Sequence, residues 1–440
     1  MSVLGAIDMS AQCISKIWSG DQHFVAIYQN GTLRAWGDNY WGQLGNGTTT
    51  HNPNPTTANY DTDWMLATAG RKHNLALKTN GTLWAWGSDE NEALGNGTAG
   101  QYLVPTQIGT DTDWKAIAAG EGFSLAIKTN GTLWAWGTNT NRCFGNGAST
   151  VTTYNVPTQI GTQTDWKEIS GCGQYVLAIK DNGTLWAWGN NDYGQLGIGN
   201  TITQGTPVQV GTATDWKWID TTLSAGAPIS IAMKTNNTIW LWGHDTVLEI
   251  SSNTPSQLGT ASDWKTISVR KNYSARYVML TKQNGTLWAW GKDNYEQLGN
   301  LWNNNYTVPT QIGNGTNWVT ATAGNYESNG ITTDGQFWAW GFTSLVHNNG
   351  TAYTDAPTAY NCTPTLEIDD FETASGFKIY PNPTSGIIHF SREIDADIYD
   401  ITGKKVMTLA NAVTANLSAL VQGIYIVKTL QGASQKLIVQ

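Results

Sequence analysis

The 440-residue chain carries few of the side chains that catalysis needs in the spacings that catalysis needs. Its histidines are His23, His51, His73, His244, His347 and His389. No two of them have metal-ligand spacing and no cysteines form a C-x-x-C, so no zinc site is expected. Neither a G-x-S-x-G elbow nor a phosphate-cradling glycine loop occurs. Aspartate precedes tryptophan at Asp63, Asp113, Asp165, Asp215 and Asp263, where it reads as a turn cap at a strand start. A glycosidase needs one specific carboxylate pair, and a repeated aspartate singles out none. What remains is aromatic surface. Loops that follow a Trp-Gly pair carry Trp41, Tyr193 and Tyr295, and Trp302 lies in an Asn-rich stretch over 301–306. These four are the candidate ligand-binding residues, facing a sugar or a protein. No catalytic residue, metal or cofactor is expected.

Presenting such loops falls to an internal repeat. Trp-Gly recurs at Trp36, Trp86, Trp136, Trp188, Trp242, Trp290 and Trp340, with spacings of 50, 50, 52, 54, 48 and 50. A Pro-led strand recurs at Pro105, Pro157, Pro207, Pro255 and Pro309, with Pro55 and Pro357 as outer equivalents. One unit reads PTQIGTDTDWKAIAAGEGFSLAIKTNGTLWAWG and holds four short strand-like runs. Asn-Gly joins the last two, the strongest short-range hairpin signal. Four strands in each of seven units, without helical periodicity, indicate a seven-bladed β-propeller. In TLWAWG, Trp84 and Trp86 point to one face while Leu83 and Ala85 point to the other, so neighbouring sheets can nest.

The first unit begins at its second run, ISKIWSG, and a surplus Pro-led run stands at Pro357–Tyr360. The expectation is that this last run completes the first blade and closes the ring. Aligning the units then brings Cys13 and Cys362 into one inter-strand loop, which predicts a disulfide between them and an oxidising compartment. Cys143 and Cys172 are a second candidate pair.

Lys and Arg number 24 and Asp and Glu 33, a net charge of 24 − 33 = −9. No basic footprint for nucleic acid is present. The wealth of tryptophan excludes a disordered chain, and no apolar run is long enough for a transmembrane helix.

GDQHFVAIYQNGTLRAWGDNYWGQLGNG (from Gly20) and NGTLWAWGNNDYGQLGIG (from Asn182) resemble regulator-of-chromosome-condensation repeats, with their G-x-x-H, their Asn-Gly hairpin into W-x-W-G and their G-Q-L-G loop. The resemblance spans 13–361 and implies a seven-bladed propeller. The founding member of that family exchanges guanine nucleotides on a small GTPase through a loop insertion. The near-uniform spacings here leave no room for such an insertion, so that activity is not carried over.

Beyond a polar, acidic linker over 362–376, three pieces with strand alternation and Gly turns over 377–440 read as a small β-sandwich. This segment resembles the C-terminal sorting domain of type IX secretion. The carriers are Tyr380-Pro381-Asn382-Pro383, the turn at Gly403, and Gly423 with Tyr425. The resemblance implies handling by the type IX machinery and a secreted or outer-surface location in a Gram-negative bacterium. Residues 1–12 read as the remnant of a signal peptide or a disordered start. The expectation is a monomeric, non-enzymatic module that binds a protein or glycan. The alternatives are a hydrolase working on one face of the ring, and an exchange-like activity.

Overall fold

Each repeat is organised around its Asn-Gly turn. Gly81 has φ +78, and a Cβ there would lie 2.0 Å from the Thr112 carbonyl of the next repeat, so glycine is needed both for conformation and for space. The computed structural model describes 14–59, 61–98, 100–222, 228–269, 276–301, 305–324, 326–342 and 354–360, and further on 377, 379–380, 382, 384, 386–400, 404–429 and 434–439. The chain divides into two units, Met1–Cys362 and Thr363–Gln440.

In the first unit, β1 (Ile14–Ser19), β2 (His23–Tyr28), β3 (Leu33–Gly37) and β4 (Asn52–Thr57) form an antiparallel sheet in that order. β5 (Trp64–Ala69), β6 (His73–Lys78), β7 (Leu83–Gly87) and β8 (Tyr102–Gln107) form the second. Five more four-stranded sheets repeat the pattern, opening with Trp114–Ala119, Trp166–Cys172, Trp216–Thr221, Trp264–Val269 and Trp318–Ala323. The seven opening strands touch one another in a closed cycle, the last against β1. They therefore surround the axis, and the Pro-led strands lie at the rim, where an edge tolerates a residue without an N–H.

The ring does not close by exchanging a strand. Thr354–Tyr360 pairs with Phe337–Gly341 of its own blade, and β4 completes the first blade. The Pro-led run belongs to the blade whose Trp-Gly loop precedes it, because that loop folds the chain straight back beside its own strand. Closure comes from packing of faces. Ile14, Phe24, Ala26 and Trp36 of the first blade share a buried cluster with Ile331, Phe337 and Ala339 of the seventh. The Ser19 hydroxyl also donates to the Ala323 carbonyl at 2.8 Å. Cys13 and Cys362 lie outside the described residues. Cys143 and Cys172 are both buried and are not joined to each other. Cys143 sits in a Trp-Gly loop, whereas Cys172 ends an axial strand.

The alternation expected of TLWAWG holds. Trp84 and Trp86 pack on the first blade, and Leu83 and Ala85 on the third. The second Trp of each pair is fully buried and reaches back to the preceding blade. Trp86 Nε1 donates to Gln43 O at 2.8 Å, Trp136 to Ala93 O at 2.9 Å, Trp188 to Cys143 O at 2.8 Å and Trp242 to Gln195 O at 2.8 Å. A large buried ring at each joint supplies apolar burial. The indole bonds of Trp86, Trp136, Trp188 and Trp242 fix the register at those joints, whereas the Trp36 and Trp340 N–H groups find no partner among the described residues.

The second unit is one five-stranded sheet: Ile379–Tyr380, Ile387–Asp400, Gly423–Thr429 and Ser434–Val439 in order, with Lys405–Asn416 also paired to Ile387–Asp400. Register breaks between His389 and Ile394 bend the long strand. Ile388, Phe390, Ile394, Ile398, Val427 and Leu437 then meet in one core.

Candidate functional site

The G-x-x-H turns and the Trp-Gly loops share one end of the wheel, because both follow strands that run in the same direction. The Asn-Gly and Asp-Trp turns share the other. On the first end the Trp-Gly loops of the first, fourth and sixth blades are each held by a buried polar frame. Asn39 Oδ1 accepts from Leu44 N at 2.9 Å, and its Nδ2 donates to Thr48 O and Thr50 O, both at 3.0 Å. Gln43 Oε1 accepts from Trp41 N at 2.8 Å. Asn191 with Gln195 repeats this frame, as does Asp293 with Gln297.

The frame sets the aromatic that follows against the next blade, so Trp41, Tyr193 and Tyr295 do not converge. The Lys72 ammonium lies 4.4 Å from the Trp41 ring centroid. Tyr193 stacks on His244 at 6.1 Å, and Tyr295 packs on Tyr326 at 4.3 Å. They stand in the first, fourth and sixth blades as separate inter-blade brackets. Trp302 lies outside the described residues.

One bracket opens onto a cleft. Lys72 forms an ion pair with Glu90, and Arg71 with Glu121; Asp21 is 3.8 Å from Arg71. Arg71, Lys72, Glu90, Asn91 and Glu121 line the cleft. Tyr40, outside that lining but on the same end of the wheel, is 69 % exposed, its ring edge-on to Trp41 at 4.9 Å. Sequence reasoning missed Tyr40, Lys72 and Glu90. The available signals were the doubled aromatic Tyr40-Trp41 and the adjacent cations in the Gly70-Arg71-Lys72-His73 turn.

The Asp-Trp aspartates act as charge partners rather than turn caps. Lys78 Nζ lies 2.6 Å from Asp61 and 3.1 Å from Asp63, over the rings of Trp64 at 5.0 Å and Trp84 at 4.6 Å. Lys128, Lys180, Lys234 and Lys282 repeat the arrangement with Asp113, Asp165, Asp215 and Asp263. The first blade inverts it, with Arg34 set 4.7 Å over the Tyr28 ring.

His23 and His73 are structural. His73 Nε2 donates to Ser124 Oγ at 2.9 Å, and burial, helped by the neighbouring His23, lowers its pKa to about 4. Asp293 is enclosed, and burial raises it to about 6 against the opposing hydrogen bond from Leu298 N. Glu327 is enclosed more completely, and burial alone holds its pKa well above the usual carboxylate range.

In the second unit Asn382 ties its loop to the last strand. Its Nδ2 donates to Lys436 O at 2.7 Å, and its Oδ1 accepts from Ile438 N at 2.8 Å. Tyr425 is buried, with its hydroxyl on Val421 O at 2.8 Å. Tyr380 is exposed and stacks on His389. Gly423 opens the strand that carries Tyr425. Pro381, Pro383 and Gly403 lie outside the described residues.

Residues 3–271 match the family described as RCC1-like domain, 284–328 match the regulator of chromosome condensation (RCC1) repeat, and 378–440 match the secretion system C-terminal sorting domain. Among solved structures, Prp20p from Saccharomyces cerevisiae is similar at 19 % identity, covering 82 % of this chain and 90 % of its own, with a TM-score of 0.64. Human WBSCR16 is similar at 17 % identity, covering 71 % and 84 %, with a TM-score of 0.60. At such identities the likeness shows the fold alone. No curated protein matches. The sorting domain marks export through type IX secretion to the cell surface or beyond, as in Bacteroidetes. Among the described residues no helix is long and apolar enough to cross a membrane.

Proposed function

Because the chain belongs to the RCC1-like domain family, we propose that it is an exported, non-enzymatic binding module that engages a glycan or protein ligand through the end of the wheel bearing the Trp-Gly loops. The observation that carries this reading is Tyr40, a large aromatic standing in solvent edge-on to Trp41, on the end of the wheel that also holds the charged cleft of Arg71, Lys72, Glu90 and Glu121. Rigid aromatics next to a few oriented polar groups are the usual currency of recognition. The carboxylates that a hydrolase would need speak for binding instead. Glu90 and Glu121 are each held by a cation, and Glu327 has no access to solvent-borne substrate. Prp20p has been studied for binding to Gsp1p and histones. The even repeat spacing here gives no inserted loop for an exchange role.

The purified full chain should bind saccharides or surface proteins in array format and should release no product from polysaccharide or peptide substrates. Turnover that disappears on one substitution of a facial acid would overturn the reading.

A further inference from the structure

Each Trp-Gly loop meets the rim strand of the next blade, and the two sides share a limited space. A Cβ on Gly42 would lie 2.6 Å from Leu103 Cδ2, and a Cβ on Gly194 would lie 2.8 Å from Asn253 Cβ. Between the third and fourth blades the sizes are exchanged. Arg142 takes the position of those glycines, and Gly205 takes that of Leu103 and Asn253. The loop-to-rim bonds fix this equivalence: Gly47 N donates to Leu103 O, Gly147 N to Gly205 O and Gly199 N to Asn253 O, each at 2.8 Å. The Arg142 stem fills the room that Gly205 leaves, because a Cβ on Gly205 would lie 3.3 Å from Arg142 Cδ. The backbone of Arg142 is held at φ +64, a conformation that suits glycine better than arginine.

This seating delivers a guanidinium to solvent without giving it a partner. Arg142 is exposed, and among the described residues its side chain makes no ion pair and no hydrogen bond. In the neighbouring cleft, by contrast, Arg71 and Lys72 are held by Glu121 and Glu90. Arg142 lines a cleft of about 490 Å³ between the Trp-Gly loops of the third and fourth blades, and none of the described residues lining it is acidic.

Two aliphatic side chains stand at the same cleft. Val151 is 66 % exposed and Ile202 is 65 % exposed. Both sit on a fixed backbone. Asn139 N donates to Thr152 O at 2.8 Å, and Asn139 Oδ1 accepts from Phe144 N at 2.9 Å, which anchors the loop bearing Arg142 and Val151. Ile202 N donates to Asn200 Oδ1 at 2.8 Å, and Ile202 O accepts from Gln204 Nε2 at 3.1 Å. Asn141, Ser149, Thr150 and Thr203 add amide and hydroxyl groups to the wall.

These groups select among ligands. One guanidinium suits one carboxylate, which it can bond through two parallel N–H groups. A neutral ligand would leave that charge unmatched. The apolar part of the wall is branched and aliphatic, with no aromatic ring on which a pyranose face could lie. An aliphatic side chain beside a carboxylate is what an acidic peptide offers, since residues two apart on an extended chain face the same way.

We infer that Arg142, Val151 and Ile202 form a docking cleft for an extended acidic peptide segment, one carboxylate pairing with Arg142 while a nearby aliphatic side chain packs on Val151 and Ile202. This rests on the binding-module reading and chooses a protein rather than a glycan as its ligand.

The test is calorimetric titration of the full chain with an acetylated, amidated peptide of three glutamate–serine–leucine repeats. Its counterparts carry glutamine or lysine in place of glutamate, and tetragalacturonate is the acidic sugar. The glutamate peptide should bind at least tenfold tighter than the glutamine and lysine peptides, by a margin that shrinks as salt rises. Arg142→Gly and Arg142→Gln should each abolish that margin with the thermal unfolding transition kept, the glycine variant carrying the residue that Gly42 and Gly194 already supply at this position. Ile202→Ser should weaken the glutamate and glutamine peptides alike. Lys115→Ala, at the opposite end of the wheel, should leave binding unchanged. No binding of the glutamate peptide, equal affinity for the glutamate and glutamine peptides, tighter binding of tetragalacturonate, or a glutamate margin that survives loss of Arg142 would overturn the cleft. None of these would touch the binding-module reading, which falls instead if a facial acid supports turnover.

Discussion

His23 Nε2 donates to the Asn74 Oδ1 of the following blade at 2.7 Å. The same joint is matched in kind around much of the ring. His73 meets Ser124, Tyr175 meets Ser230 and Tyr277 meets Ser328. Where the first partner is Phe123 or Ile229, the residue across the joint is Val176 or Val278, equally apolar. The seam between the last blade and the first breaks the pattern. Glu327 takes the histidine position and Phe24 the position across the joint, with Phe24 filling the space beside Gly324. Among the described residues neither carboxyl oxygen of Glu327 has a hydrogen-bond partner, nor does the amide of Asn329 two residues on.

Glu327 should therefore make the seam sensitive to pH. Its folded pKa lies above the unfolded value of about 4.3, so the native state holds the proton longer. Stability from this group is greatest below that value and declines as pH rises toward the folded pKa. Glu327→Met removes the ionisable group at similar length. It should stabilise the propeller at pH 8 by about 1–3 kcal/mol, the usual cost of an unsatisfied buried polar group, and by clearly less at pH 5. Calorimetric melting of both proteins across this range checks it, and an equal gain at both pH values would contradict it.

Asp293 poses the same question inside one loop. It fills the frame position of Asn39, and Leu298 N donates to its Oδ1 at 2.8 Å as Leu44 N does to Asn39. Its second oxygen stands where Asn39 uses a donor. Burial raises its pKa to about 6, so its destabilising effect grows as pH climbs from about 4 to 6 and is complete above. Asp293→Asn should raise stability at pH 7.5 by about 1–2 kcal/mol and have little effect at pH 4, measured by urea titration.

Much of this was legible in the sequence, because each strand announces itself through an Asn-Gly turn, a Trp-x-Trp alternation or an Asp-Trp start. Blade count and the inter-blade packing of Trp86 followed directly. Which Pro-led run joins which blade did not follow, because a cyclic repeat looks the same wherever it is cut. Only hydrogen bonding distinguishes Thr354–Tyr360 on its own blade from the same run on the first. Nor could aromatic spacing tell Trp41 from Tyr193. Their difference lies in what the next blade sets against them, Lys72 in one case and His244 in the other.

The Trp-Gly loops also hold strain that substitution can relieve. Gly42 and Gly194 occupy a left-handed position with φ of +75 and +74. The equivalent residues Glu92 and Arg142 adopt φ of +60 and +64 with a side chain present. A left-handed conformation costs an L-residue about 1–2 kcal/mol. Arg142→Gly should thus stabilise the chain by about 1 kcal/mol, net of the greater entropy of glycine in the unfolded state. A raised denaturation midpoint at unchanged slope is the expected reading, and a lower midpoint would show that Arg142 makes contacts worth more than the strain.

The Asp–Lys–Trp clamps at the opposite end give an alkaline counterpart. Burial disfavours the charge on Lys128, yet the hydrogen bonds from its ammonium to Asp111 and Asp113 outweigh it, and its pKa stands above the usual lysine value. A raised cationic pKa contributes stability that is fully present below about 10.4 and is lost as pH rises through the folded value. The ammonium also sits 4.8 Å from the Trp114 ring and 4.6 Å from that of Trp134. Lys128→Met keeps the aliphatic stem against both rings but removes the charge from the aspartates. It should cost about 1–2 kcal/mol at neutral pH, more than a typical exposed ion pair. In the Asp113→Asn background the same substitution should cost less, because part of the loss belongs to the pair. Equal costs in the two backgrounds, from a double-mutant cycle in urea, would assign none of the effect to Asp113 and leave it with Asp111 and the tryptophans.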